Sequence, residues 1–321
     1  MIFIYILIFF ISLIILYISS ELVIKGLNEI AKFLGWREFV IAFFIMAFAS
    51  SLPNLFVGIT SALHKIPQLS LGDIMGGNVI NLTLAVALSV LFSKNKEIST
   101  DSRMVQNSSV FTIIAAILPL LLMLDGNLSR TDGFLLICFF LFYVFWLFSK
   151  QERFTKTYNN DLEEPIIKEF KSFLKDISKI ILGLIFFIFS AQGIVFSSKF
   201  FAEKFNMPLA LIGILIVGLG NSLPEIYFAV SSAKKNETWM ILGDLMGSVI
   251  FPATLILGIV ALIFPIEILN FSSIIIARLF LIIAAIFFFF FIKTHHKITK
   301  QESIVLLLIF IIFILIEILT K

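Results

Sequence analysis

The sequence is poor in the side chains that enzymes use for metal binding and nucleophilic attack. Among its 321 residues there are one cysteine, Cys138, and three histidines, His64, His295 and His296. A single cysteine excludes an intrachain disulfide and a cysteine-based metal cluster. The histidines have no acidic residue close by in the sequence, so we interpret them as solvated loop residues. The His-Glu-x-x-His and Gly-x-Ser-x-Gly motifs are also absent, and we do not expect an enzyme.

Charged residues are scarce as well, and apolar residues take their place. Asp, Glu, Lys and Arg make up 14% of the chain, hydrophobic residues make up 60%, and the mean hydropathy is +1.09. The formal charge of +3 argues against nucleic acid as a partner. We therefore predict an all-α polytopic membrane protein with about ten transmembrane helices, each a run of about 20 apolar residues. The predicted spans are 2–19, 39–63, 68–93, 105–124, 132–149, 180–200, 208–233, 238–265, 271–293 and 303–320.

The positions of the basic residues predict how these spans are oriented. With the N-terminus outside, 18 of the 24 Lys and Arg residues fall in inner segments and 6 fall in outer segments or span ends. The positive-inside rule then places both termini outside. The first apolar run lacks a basic leading segment and an Ala-x-Ala-like cleavage site, so we interpret it as a retained span. We expect a multi-pass protein of the cell (plasma) membrane.

One stretch of sequence occurs twice, each time inside an apolar run. It reads Ala-Ser-Ser-Leu-Pro-Asn at 49–54 and Gly-Asn-Ser-Leu-Pro-Glu at 220–225. The interval between the two copies is 171 residues, and Gly-Asp-Ile-Met-Gly recurs as Gly-Asp-Leu-Met-Gly after the same 171. Two motifs repeated at one interval indicate an internal duplication. The copies lie five spans apart and so cross the membrane in opposite directions, which predicts an inverted repeat.

The duplication divides the chain into two halves. We predict a first five-helix repeat at 1–149, a cytoplasmic linker at 150–179 and a second five-helix repeat at 180–321. The second half of the linker has apolar residues at helical spacing, which predicts an interfacial helix leading into the next span.

The repeated stretches carry oxygen ligands at membrane depth. Pro53 and Pro224 have no N–H, so the main-chain carbonyls four residues earlier lose their usual helical donors. Hydroxyl and amide side chains stand beside each proline, and Glu225 adds a carboxylate that is costly to bury in a membrane. Carbonyl, hydroxyl, amide and carboxylate oxygens together suit hard cations such as Na⁺ and Ca²⁺. The copies therefore predict a cation site with helices broken at the midplane.

A second polar element follows each proline. Asp73, Gly77 and Asn81 are spaced four apart and share one helix face, as do the equivalent residues Asp244, Ser248 and Pro252. The two aspartates lie near the start of their spans. They are either accessory acids of the cation site or acids that favour a helix N-terminus, and the sequence leaves both interpretations open.

At these residues the chain resembles the sodium/calcium exchangers of the cation/calcium antiporter superfamily, especially the short prokaryotic members. The family repeats read approximately Gly-Thr-Ser-x-Pro-Glu, followed by Gly-Ser-x-x-x-Asn or Asp. The resemblance implies ten spans, two inverted halves and alternating access, with Na⁺ and Ca²⁺ competing for one midplane site. Carried over by position, it implies ion ligands at Ala47, Ser50, Ser51, Asn54, Asn81, Gly218, Asn221, Ser222, Glu225 and Ser248.

Three positions depart from the family pattern. Asn54 replaces one of two central glutamates, Gly77 has no hydroxyl, and Pro252 offers neither an amide nor an acid. Losing a carboxylate lowers the affinity for a divalent ion more than for a monovalent ion, because Coulomb attraction scales with charge. Asp73 and Asp244 lie outside the usual pattern, one turn away on the ligand face, and as accessory acids they would restore negative charge.

The leading hypothesis is a secondary antiporter that exchanges Na⁺ for a cation, with Ca²⁺ as the expected cation, without a cofactor and as a monomer. Three alternatives remain. One is proton-coupled exchange with Glu225 as the proton carrier, and another is a degenerate member that binds an ion without transporting it. The third is a polytopic membrane enzyme, since the Gly-Asp pairs resemble motifs of intramembrane aspartyl proteases. The second acid that such an enzyme needs is replaced by Asn221.

Overall fold

The computed structural model describes residues 2–33, 46–149, 166–235, 238–268 and 274–320. These residues form thirteen α-helices, three π-helical segments and four short strands. The α-helices are α1 (Ile2–Phe33), α2 (Met46–Leu63), α3 (Gln68–Ile80), α4 (Val86–Phe92), α5 (Arg103–Leu122), α6 (Arg130–Ser149), α7 (Ile166–Phe205), α8 (Leu209–Ile212), α9 (Gly218–Lys235), α10 (Thr238–Phe251), α11 (Leu257–Ile263), α12 (Ile275–Lys293) and α13 (Lys300–Leu319). The π-helical segments are Asn81–Ala85, Gly213–Val217 and Pro252–Ile256, and the strands are β1 (Glu97–Ser99), β2 (Asn127–Leu128), β3 (Ile266–Glu267) and β4 (Lys297–Thr299).

Most of the helices span the membrane, either alone or as two α-helices that a π-helical segment connects. Each π-helical segment lies between two α-helices, so α3–α4, α8–α9 and α10–α11 are three single spans. Nine helices in the described part of the chain are long and apolar enough to span, and α2 is a shorter apolar helix. The predicted span 39–63 begins among residues that the structure does not describe. The predicted all-helical, polytopic fold is confirmed.

The first and sixth spans are longer than predicted. The predicted first span ends at residue 19, but α1 continues to Phe33. An ion pair one turn apart, from Lys25 to Glu21 at 2.9 Å, supports this extension. Helix α7 begins at Ile166, so the helix predicted in the second half of the linker is continuous with the span. The segment 150–165 lies outside the described residues, and the boundaries of the two halves remain a prediction.

The four short strands, which the sequence did not predict, show how the halves are related. Strand β1 follows α4 and β3 follows α11, so the two occupy equivalent places in their repeats. Each pairs with the other half, β1 with β4 and β2 with β3, both antiparallel. Counting the spans between them puts β1 and β4 on one side of the membrane and β2 and β3 on the other. We call these the β1–β4 side and the β2–β3 side, and their arrangement is that of an inverted repeat.

One pair of helices packs along its whole length at the edge of the molecule. Helices α1 and α7 run antiparallel and meet through small residues. A Cβ on Gly193 would lie 2.0 Å from the Ser12 hydroxyl oxygen, and one on Gly183 would lie 2.5 Å from a methyl group of Val23. Glycine at these contacts lets the two helices approach closely.

The most buried helices form the centre of the protein. In the most apolar stretch, 83% of the residues of α3–α4 and 78% of those of α10–α11 are buried, against 22% for α1 and for α13. Helix α3 packs on α8 and α9, and α10 packs on α2. A Cβ on Gly72 would lie 1.9 Å from the carbonyl oxygen of Ala210, and one on Gly76 would lie 2.4 Å from that of Ile214. The backbone of α3 at the repeated Gly-Asp motif is therefore in contact with the backbone of the segment that leads into α9.

Candidate cation-binding site

Both prolines lie inside helices that continue on either side of them. Pro53 is within α2 and Pro224 is within α9, so the predicted break amounts to missing main-chain hydrogen bonds while the helical path continues. In the first copy the Ala47 carbonyl accepts from the hydroxyls of Ser50 and Ser51, at 3.1 and 2.8 Å. Polar groups therefore collect on the turn before the proline.

Two polar contacts join the halves at equivalent positions. The Asn221 amide donates to both carboxylate oxygens of Asp73, each at 3.0 Å. The Ser50 hydroxyl lies 3.4 Å from Oδ1 of Asp244 and donates to it or to its own helix. Since the repeat interval relates residue 50 to 221 and residue 73 to 244, the two contacts are the same contact made twice. Both aspartates therefore lie at the junction of the repeated stretches, with their side chains buried.

The polar elements that follow the two prolines make one side-chain contact between the halves, and the repeat-equivalent contact is missing. The Asn81 amide donates to the Ser248 hydroxyl at 3.1 Å, and that hydroxyl donates to the Leu245 carbonyl at 3.1 Å. The equivalent positions hold Gly77 and Pro252, which have no side-chain polar atom. A Cβ on Gly77 would lie 3.3 Å from the Ser222 hydroxyl oxygen, so the glycine leaves room for that serine. The two halves of the site are therefore chemically unequal.

Several buried oxygens at this junction have no hydrogen-bond donor. Within the described residues they are Oδ1 of Asn54, Asn81 and Asn221, Oε2 of Glu225 and Oδ2 of Asp244. Because a carboxylate only accepts, the Asn221 nitrogen has to face Asp73, which leaves its Oδ1 as the free end. Asp244 and Asp73 both lie within electrostatic range of Glu225. Buried polar atoms normally have partners, so a cluster of unpartnered acceptors indicates a place for a ligand that supplies positive charge.

Nearly all of the residues that we singled out from the sequence are buried in the protein. The side chains of Ser50, Ser51, Asn54, Asp73, Asn81, Asn221, Ser222, Glu225, Asp244 and Ser248 are all buried, as are Ala47, Pro53 and Gly218. Pro224 is half-buried. No group of three His, Cys, Asp or Glu side chains in the described part of the chain forms a ready-made metal centre. A cation here would therefore also use amide, hydroxyl and main-chain oxygens.

The two helices that contain the prolines, α2 and α9, differ in how far neighbouring helices cover them. Leu52 on α2 is 5% exposed, whereas the equivalent Leu223 on α9 is 53% exposed. Phe56 on α2 stacks on Phe187 of α7, with ring centroids 5.2 Å apart. On α9 a cavity of about 170 Å³ takes the place of such a contact and reaches Ser50, Glu225 and Asp244. The junction is therefore covered by α7 toward the β2–β3 side and reached by a cavity toward the β1–β4 side.

Sequence reasoning missed the residues that line the outer part of this cavity. Tyr17, Ser20, Glu21, Ile24 and Lys25 of α1 form one wall, and Tyr227 and Phe228 of α9 form another. Glu21 and Lys25 lie beyond residue 19, where the predicted first span ends. Their spacing of four on a helix was the available signal, but it does not show which helix they face.

Comparison with known proteins places the chain in a family. The family model for sodium/calcium exchanger proteins matches residues 4–149 and 177–319, which together make up most of the chain. The chain belongs to the sodium/calcium exchanger family. The predicted resemblance to this family is therefore confirmed, and the family is one of membrane transporters.

Individual relatives match over nearly their full length. An uncharacterised membrane protein of Methanocaldococcus jannaschii is 29% identical over 278 residues, covering 85% of this chain and 87% of that protein. The sodium/calcium exchanger MaX1 of Methanosarcina acetivorans is 27% identical over 300 residues, covering 83% and 85%. The solved structure of the sodium-calcium exchanger NCX_Mj matches with a TM-score of 0.67 at 25% identity, covering 98% of this chain and 99% of that one. As a family member, this chain has the exchanger fold.

Proposed function

We propose that this family member is a secondary-active antiporter that exchanges Na⁺ for Ca²⁺ at the junction of α2, α3, α9 and α10. The observation that carries the proposal is the set of five buried side-chain oxygens without a donor, contributed by both halves of the chain. All are hard oxygen ligands, which suit Na⁺ and Ca²⁺ and do not suit soft metals. The transported ions need no further cofactor.

The charge of the junction favours a divalent ion as one of the two substrates. Asn54 removes a carboxylate from the family pattern, but Asp73 and Asp244 bring two others into contact with Asn221 and Ser50. Together with Glu225 they place up to three negative charges around the free oxygens. Ca²⁺ or two or more Na⁺ ions compensate such a charge better than a single Na⁺ does, so competition between the two ions follows.

Alternating access follows from the unequal covering of the two proline helices. In this structure the junction is reached from the β1–β4 side and covered by α7 on the β2–β3 side. The inverted repeat allows the opposite arrangement, in which α9 is covered by α1 and α2 is exposed. Sliding of the α1–α7 pair against the central helices would interchange the two states, so only one side would have access at a time.

The experiment that tests the function is ion flux in proteoliposomes. Vesicles loaded with Na⁺ and diluted into Na⁺-free buffer should accumulate radioactive Ca²⁺ in proportion to the outward Na⁺ gradient. Vesicles with equal Na⁺ on both sides, and vesicles carrying the Glu225→Gln variant, serve as controls and should not accumulate it. Accumulation that does not depend on the Na⁺ gradient would reject Na⁺/Ca²⁺ exchange.

The alternatives predict different results in the same vesicles. Proton-coupled exchange requires Ca²⁺ uptake driven by a pH gradient in Na⁺-free buffer, and we expect none. A degenerate protein that binds ions without transporting them would show saturable Ca²⁺ binding and no flux. The membership of the chain in the sodium/calcium exchanger family favours Na⁺-coupled exchange over both alternatives.

The proposal also covers the membrane location, the orientation and the oligomeric state of the protein. We place it in the plasma membrane with both termini outside, since the basic residues concentrate on the β1–β4 side under that orientation. A monomer contains a complete site, because all the oxygens named above come from one chain. Small cations and the lipid bilayer are then its partners.

A further inference from the structure

The cavity that reaches the central carboxylates has charged residues at its outer end. It is lined by Glu225 and Asp244 at its inner end and by Tyr17, Glu21 and Lys25 of α1 farther out. The side chains of Glu21 and Lys25 are 46% and 65% exposed, so both lie at the protein surface, where the cavity opens. A cation that enters this cavity from the β1–β4 side therefore passes these two charges before it reaches Glu225.

The Glu21 carboxylate is held in place at this position. The Tyr17 hydroxyl donates to Oε1 at 3.0 Å, and the Lys25 ammonium donates to Oε2 at 2.9 Å. Deeper in the same cavity, the Ser20 hydroxyl is 2% exposed and its oxygen has no hydrogen-bond partner. An oxygen free to bind a cation thus lines the path between the charged pair and the central carboxylates.

The other half of the chain has no such charged pair. The repeat interval of 171 residues relates Glu21 to Gln192 and Lys25 to Phe196 on α7, both uncharged. If a path opens on the β2–β3 side, the equivalent positions along it carry no charge. At these equivalent positions, therefore, only the β1–β4 side has a charged pair.

We infer that the Glu21–Lys25 pair is the charged mouth of the cation route on the β1–β4 side, and that its summed charge sets how fast cations reach the central site from there. The inference rests on the proposed function, since it concerns the route to the same site. In the wild-type protein the two charges cancel. The carboxylate offsets the repulsion by Lys25 and gives the incoming cation its first oxygen ligand.

Three variants test the inference through charge. Glu21→Gln leaves one positive charge at the mouth and should lower kcat/KM for Ca²⁺ from the β1–β4 side by about fivefold, from the Coulomb energy of a divalent ion several ångströms from a unit charge in water. Lys25→Gln leaves one negative charge and should raise it by about the same factor. The double variant Glu21→Gln/Lys25→Gln should lie between the two single variants.

Valence and salt distinguish an electrostatic mouth from a purely structural effect. For Na⁺ the same variants should change kcat/KM by only about twofold, since the energy scales with the charge of the ion. Raising the ionic strength with choline chloride to about 1 M shortens the screening length to about 3 Å and should remove most of the difference. A misfolded variant would show neither dependence.

The measurement uses proteoliposomes whose orientation is read from protease cleavage of a tag placed after α13, on the β2–β3 side. The effects should appear when the mouth faces the labelled Ca²⁺, and kcat/KM from the β2–β3 side should not change. Glu29→Gln makes the same charge change on α1 outside the cavity lining, so it controls for surface charge. Equilibrium affinity of the central site, measured in detergent, should be the same in all variants.

The outcomes separate the inference from the proposed function. If wild-type vesicles show no Na⁺-dependent flux, both the proposed function and the inference are contradicted. Suppose that the wild type shows flux, and that Glu21→Gln and Lys25→Gln have equal kcat/KM or change it in the same direction. This result would contradict the charged mouth and would leave the proposed exchange function intact. Equal effects from the two sides of the membrane would also contradict the charged mouth.

Discussion

Asn221 donates its side-chain amide to both carboxylate oxygens of Asp73, at 3.0 Å each, across 148 positions of sequence. The contact orients the amide so that its oxygen is left without a donor. Its counterpart in the other half joins Ser50 to Asp244. The two aspartates therefore act on the candidate site through the residues that they hold, as well as by their charge.

Replacing Glu225 should have the largest effect on ion binding. Glu225→Gln removes the one carboxylate on a proline helix, and we expect Ca²⁺ affinity to fall by more than about a hundredfold, with a smaller loss for Na⁺. Isothermal titration of the purified protein with Na⁺, Ca²⁺, Mg²⁺ and Mn²⁺ measures this. Glu203→Gln, an exposed carboxylate on α7, is the matched control. An unchanged Ca²⁺ affinity in Glu225→Gln would place the ion elsewhere.

Asp73 and Asn221 should act on ion affinity as a coupled pair. Asp73→Asn and Asn221→Ala should each weaken Ca²⁺ binding. The double variant should bind more tightly than additivity predicts, because removing either partner already loses the orientation of the amide. Hydrogen bonds to charged groups contribute about 1.5–3 kcal/mol, which sets the expected coupling energy. A double-mutant cycle on Ca²⁺ affinity measures it, and strictly additive effects would show that Asp73 does not position Asn221.

Asn54→Glu should increase selectivity for the divalent ion. The Asn54 oxygen is buried without a donor, so a carboxylate at this position faces the same space and restores the family pattern. We expect Ca²⁺ affinity to rise by about tenfold or more and Na⁺ affinity to rise less, since attraction scales with the charge of the ion. Titration with both ions gives the ratio. Asn54→Gln lengthens the side chain without adding charge, and a similar gain in that variant would contradict the explanation.

The backbone contact at the centre should not tolerate a methyl group. Gly76→Ala would bring a Cβ to 2.4 Å from the Ile214 carbonyl oxygen, and α3 would have to move away from the Gly213–Val217 segment. Overpacking of this kind costs about 1–3 kcal/mol or more, so the thermal unfolding midpoint in detergent should fall. Gly77→Ala, one position along, meets its nearest atom at 3.3 Å and should be much less destabilising. Equal midpoints would contradict the close crossing.

Several features of the fold were readable from the sequence because they depend on local composition. Apolar runs of spanning length predict helices, since a bilayer leaves the backbone no other partner for its hydrogen bonds. The extension of α1 to Phe33 was missed because its stability depends on packing against α7 and on the Lys25–Glu21 pair. The short strands were missed because two or three residues carry no periodic signal, and their partners lie in the other half of the chain.

The sequence alone determined the family, the inverted duplication and the oxygen-rich character of the two repeated stretches, because these follow from residue types at a fixed interval. Only the tertiary structure decided which of these oxygens meet. Ser50 and Asp244 are 194 residues apart, and no local rule connects them. It also decided that Asp73 and Asp244 lie at the junction with Asn221 and Ser50, and that the cavity toward Glu225 runs past Glu21 on α1. The inverted crossing of α3 on α9 and of α10 on α2 places the two copies face to face, and this packing turns two separate polar interruptions into one site.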